Sequence, residues 1–110
     1  MTLNEYQILA SRTMDPTLSD SETEMHALHG MAGELGELHS IYQKVYQGHT
    51  PDSLHKMKEL GDLLWFIAEY CTAHDWPLEI VAEMNIEKLK ARYPDGFEAE
   101  RSLHRREGDI

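Results

Sequence analysis

Residues 58–68 read KELGDLLWFIA. The run is apolar around nearly the whole circumference of a helix, so a helix built from it is buried on more than one side. Met57, Leu60, Leu64, Ile67 and Cys71 fall on one stripe, while Glu59, Asp62, Phe66 and Tyr70 lie on the other side. Upstream, Thr50-Pro51 supplies an N-cap and a proline at the first helical position. Downstream, Asp75-Trp76-Pro77 breaks the chain, so the predicted helix ends at about Ala73. Working outward, Leu28, Met31, Leu35, Leu38, Tyr42 and Val45 recur at steps of three and four. They predict a helix over 24–46 that Gly48 ends. A first helix over about 3–14 stops before Asp15-Pro16, and Ser21 or Thr23 caps the one that follows. A fourth runs from Pro77 to near Pro94-Asp95-Gly96, and 98–110 is a charged tail.

The apolar residues favour helix: 13 Leu, 8 Ala and 6 Met stand against 2 Val and 6 Ile, with no sustained alternation. The expectation is an all-α, four-helix bundle-like fold. A chain of 110 residues has room for one domain, spanning 1–110 with a core of about 24–97. Helix three is apolar on more sides than one small bundle covers, so oligomerisation is expected to complete it. With 20 Asp+Glu against 10 Lys+Arg, the net charge of −10 repels phosphate backbones and argues against nucleic acid or an anionic membrane as partner. No apolar run approaches the ~20 residues of a membrane span. A lone Cys71 permits no internal disulfide and fits a reducing cytoplasm.

Four carboxylates resist a purely structural reading. Glu34 and Glu37 share one face of helix two, and Glu59 and Asp62 one face of helix three. The midpoints of the two pairs lie equally far from Gly48. Antiparallel helices about that turn therefore bring all four acids to one height. Two such charges ~5 Å apart repel by about 3 kcal/mol at an effective dielectric of 20. A divalent cation removes that repulsion, and all-oxygen ligands suit Mg²⁺ or Mn²⁺ better than Zn²⁺.

Helix four carries bases to the same height. Asn85 occupies a core-like position, Lys88 is one turn beyond it and Arg92 two. Reflected about the turn near 75–76, Lys88 comes level with about residue 63 and Arg92 with about 59. Both are placed to hold phosphate oxygens. The simpler alternative is that they pair directly with Glu59 or Asp62. Phe66 and Tyr70, one and two turns beyond Asp62, can stack on a base. Gly30, Gly33 and Gly36 lie inside a helix, where close packing explains them better than a phosphate loop. His26 and His29 are expected to be solvated, and no Glu-x-x-His points to a di-iron bundle.

GELGEL at 33–38, KELGDLLWFIA at 58–68 and NIEKLKARYPDGF at 85–97 together resemble the MazG-like nucleotide pyrophosphohydrolases of the all-α NTP pyrophosphatase group. The resemblance implies that Glu34, Glu37, Glu59 and Asp62 bind Mg²⁺, that Lys88 and Arg92 hold phosphates, and that Asn85 orients the substrate. It implies hydrolysis of an NTP or dNTP to the monophosphate and pyrophosphate, and a homodimer or dimer of dimers. On such a site Glu34 or Glu37 is expected to help deprotonate the attacking water. The rivals are a non-catalytic helical module that uses the acids for metal- or nucleotide-dependent assembly, and a phosphoribosyl-ATP pyrophosphohydrolase from the same wider group.

Overall fold

A computed structural model describes residues 1–110. The helices are α1 (Leu3–Ser11), α2 (Asp20–Gln43, continued by a 3₁₀ turn Lys44–Gln47), α3 (Ser53–Ala73), α4 (Leu78–Arg92) and a short α5 (Ala99–Leu103). The all-α expectation is borne out. Element starts differ from the sequence reading. α2 begins at Asp20 because Ser19, not Ser21 or Thr23, caps it: Ser19 Oγ accepts from Glu22 N while Glu22 Oε1 accepts from Ser19 N. α3 begins after Asp52, whose carboxylate accepts from Leu54 N, and not at Thr50-Pro51. α1 stops at Ser11 and runs out in turns as far as Met14.

α2 and α3 form an antiparallel hairpin about Gly48, which takes the left-handed conformation (φ 93°) that only glycine adopts at little cost. Contacts across the hairpin pair Tyr42 with Lys56, Gly30 with Phe66, and His26 with Glu69, each centred within about one residue of position 48. Phe66 lies over Gly30, where a Cβ would overlap the ring, whereas Gly33 and Gly36 meet nothing. Close packing therefore explains one of the three glycines. The stripe expected to be core in α2 is largely outward: Leu28, Leu35, Tyr42 and Val45 are exposed, and the buried positions are Thr23, Ala27 and Ile41. Met57, Leu60 and Leu64 of α3 are likewise exposed. With Gly61, Leu63 and Ile67 they line an apolar groove of about 410 Å³.

The small core lies where α1, α3 and the start of α4 meet. Ala10, Ala68, Cys71 and Leu78 are buried, with Tyr6, Trp65 and Ile67 against them. Burial pushes the Cys71 thiol pKa up, which leaves it inert. Trp65 Nε1 donates to Ala10 O and Thr13 Oγ1 at the end of α1. α3 closes with Trp76 N donating to Cys71 O and Asp75 in the left-handed region (φ 56°). α4 then packs on α1, and no residue of it beyond Leu78 is buried. The expected return of α4 along α3 is not how the chain packs.

The fold is open. Its radius of gyration is 17.3 Å, against about 13 Å for a compact chain of this length. Its accessible surface is 8235 Å², roughly a third above the ~6,200 Å² at which folded monomers of this mass fall. No helix is long and apolar enough to cross a membrane.

Candidate metal centre

The hairpin register brings Glu34 of α2 to Glu59 and Asp62 of α3, with carboxylate oxygens from all three within 4.8 Å of one another. Glu34 and Glu59 are partly buried and Asp62 is exposed. Glu34 Oε2 is shut off from solvent and has no hydrogen-bond partner. A hydrogen bond toward Glu59 needs a proton on one of the two acids. That pairing, then burial, then the charges of Asp62, Glu59 and Glu37, push the Glu34 pKa up to about 7. No lysine or arginine forms a salt bridge with Glu34, Glu59 or Asp62. Glu37 lies one turn along α2, exposed and outside the cluster, though its charge reaches Glu34. A buried orphaned carboxylate oxygen among two further acids fits a hard divalent cation with oxygen ligands.

His55, one turn before Glu59, places Nε2 3.2 Å from Glu59 Oε1. The i, i+4 spacing of these two residues was the only sequence signal for it.

The basic groups stand elsewhere. Asn85 and Lys88 are exposed on α4. Arg92 pairs with neither Glu59 nor Asp62. Its Nε and Nη2 donate to Asp109 Oδ2 and Oδ1 at 2.8 and 2.7 Å. That bidentate pair holds the Asp109 carboxyl below its ordinary range, with smaller help from Arg105 and Lys88. Nothing in the sequence marks Asp109 as a partner of Arg92, because the contact needs the tail to fold back.

Phe66 is half-buried, edge-on to Trp65 at 5.1 Å and tilted against His26 at 5.8 Å. The Tyr70 hydroxyl donates to Glu24 Oε1 at 3.2 Å, which pushes the phenol pKa up. His26 is not merely solvated. Its Nδ1 lies 2.8 and 3.0 Å from the two oxygens of Glu69, a carboxylate only 1% exposed. This pair meets the cost of burying a carboxylate at that level of the hairpin.

An antiparallel helical hairpin whose two helices bring three carboxylates together defines an all-α acidic-site protein. Residues 22–97 match the MazG nucleotide pyrophosphohydrolase domain, and the chain belongs to that family. It is also similar to the Gene 37 protein of Mycobacterium phage L5, 29% identical over 105 residues that cover 87% of this chain and 92% of the phage protein. No solved structure matches it significantly.

Proposed function

We propose that the protein is a Mg²⁺-dependent nucleoside triphosphate pyrophosphohydrolase, with Mn²⁺ as a possible substitute, that converts an NTP or dNTP and water to the monophosphate and pyrophosphate. The observation that carries this reading is the convergence of Glu34, Glu59 and Asp62 around an orphaned carboxylate oxygen. A divalent cation held by these three supplies charge neutralisation for the carboxylates and the substrate phosphates. Glu37, one turn from Glu34, accepts the proton of the attacking water. The water oxygen bonds to the α phosphorus, the α–β bridging bond breaks, and pyrophosphate leaves with the electron pair. Lys88 and Arg92 stabilise the charge that builds on the leaving phosphates, and Asn85 orients the substrate. Phe66 and Tyr70, one and two turns beyond Asp62, are the side chains this reading assigns to stacking on the base.

Because α4 leaves the hairpin instead of returning along α3, these bases meet a carboxylate cluster across a subunit contact in a homodimer or dimer of dimers. The apolar faces of α2 and α3 supply that contact. Removal of nonstandard triphosphates from the nucleotide pool is a role such chemistry suits.

Anion-exchange chromatography of the products from a panel of ordinary and modified triphosphates tests the reading. Monophosphate and pyrophosphate are expected in equal amounts with Mg²⁺, and neither in EDTA. A diphosphate peak growing in step with substrate loss overturns the α–β assignment.

A further inference from the structure

Residues 99–110 fold back on the end of α4 and build a second concave site. Its walls are Ala91, Arg92, Arg101, His104, Arg106 and Asp109, around a volume of about 60 Å³. Asp109 is the one carboxylate among these residues, and of the three guanidinium groups only that of Arg92 hydrogen-bonds to it. Asp109 engages only the Nε–Nη2 edge of Arg92, and the two side chains are 9% and 15% exposed. Arg101 Nε is closed to solvent and lacks a hydrogen-bond acceptor; its nearest acid, Glu98, is 3.5 Å away. His104 faces Glu100 at 3.6 Å on the exposed side of α5. Arg106 enters no ion pair. The pocket therefore holds more donors and more positive charge than its own acceptor satisfies.

A phosphate group presents to arginine the same pair of oxygens as a carboxylate, with more charge and further acceptors. Gly108, at φ 84°, turns the chain just before Asp109. We propose that this pocket binds a phosphate-type oxyanion and that Asp109 is its internal competitor, occupying Arg92 until the ligand displaces it. Arg101, His104 and Arg106 then extend the anion site that begins at Arg92. That the anion is part of a nucleotide rests on the function proposed above; the affinity of the pocket for an oxyanion does not.

Calorimetric titration of inorganic pyrophosphate into the full chain in EDTA tests this, because the repelling carboxylate cluster takes up no anion without metal. Asp109→Ala is expected to bind pyrophosphate roughly tenfold tighter than the parent, and Arg106→Ala with Asp109 intact several-fold more weakly. Asp109→Asn, which nearly conserves shape, is expected to bind more tightly too, and carries the test if the alanine variant melts early. Equal or weaker binding by Asp109→Asn overturns the proposal. An active pyrophosphohydrolase with that result loses this inference alone. A chain that binds pyrophosphate as expected, but releases none from any triphosphate, loses the functional reading alone.

Discussion

Glu34 shows how one side chain ties stability to ligand binding. Its carboxyl titrates at about 7 in the folded chain and at the ordinary 4.5 when unfolded. Between those values the folded state holds a proton that the unfolded state has lost. Metal-free stability therefore falls as pH rises through that window. A cation needs the deprotonated acid, so the rise in Tm on adding Mg²⁺ should be larger at about pH 8 than at about pH 6. Melts at both values, with and without EDTA, check the sign; an equal response at the two means that Glu34 does not meet the cation. Glu59→Gln and Asp62→Asn each remove one charge from the cluster with little change of shape. In EDTA these variants should melt no lower than the parent, by roughly 4–8 °C higher for each kcal/mol of repulsion relieved. Both should lose most of the Mg²⁺ response. A lower Tm in EDTA with an unchanged response would make these acids ordinary structural partners.

At the scale of elements, the start of α4 has an unusual cap. Pro77 at its N-cap has no side chain to offer, and the free amides are met from α1. Gln7 Oε1 accepts from Leu78 N at 2.8 Å and Asn4 Oδ1 accepts from Glu79 N at 3.1 Å. Gln7 Nε2 also donates to Trp76 O and Thr72 Oγ1. One glutamine thus joins α1, α3 and α4. Gln7→Ala is expected to destabilise the fold by about 1–2 kcal/mol, the range of a lost cap, measured by urea unfolding. A loss below a few tenths would mean that water replaces the glutamine. The same scale explains why the apolar stripe of α2 faces outward. Its buried positions are Thr23, Ala27 and Ile41, with Glu34 on the same side and Gly30 under Phe66. Apart from Ile41, small and polar residues make this close seam, so hydrophobic periodicity selects the larger residues on the adjacent face.

At the scale of the molecule, the open shape predicts a second copy as cover. The surface excess over a compact monomer is roughly 2,000 Å², area enough for a stable interface. Leu28, Leu35, Leu60, Leu64, Ile80 and Met84 are all exposed large apolar residues on three different helices. Multi-angle light scattering at micromolar concentration should give at least about twice the chain mass of 12.7 kDa. An active monomer would refute both the subunit contact and the route by which Lys88 and Arg92 reach the acids.

The hairpin was legible in the sequence because its information is local. Gly48 sets the turn, helical rise is uniform, and equal spacing from the turn brings Glu34 level with Glu59 and Asp62. Hence the all-α class and the acidic cluster followed from counting residues. Three features did not. The exposure of Glu37 depends on the rotation of α2 about its own axis, which small residues such as Gly30 and Ala27 set through packing. The course of α4 depends on Gln7 and Asn4, some seventy residues away in sequence, holding its first turn against α1. The capture of Arg92 by Asp109 depends on a tail that no periodic pattern marks. Periodicity records which residues share a helix face. Which face meets which neighbour is decided by side-chain volume and long-range hydrogen bonds, and these exist only in the folded chain.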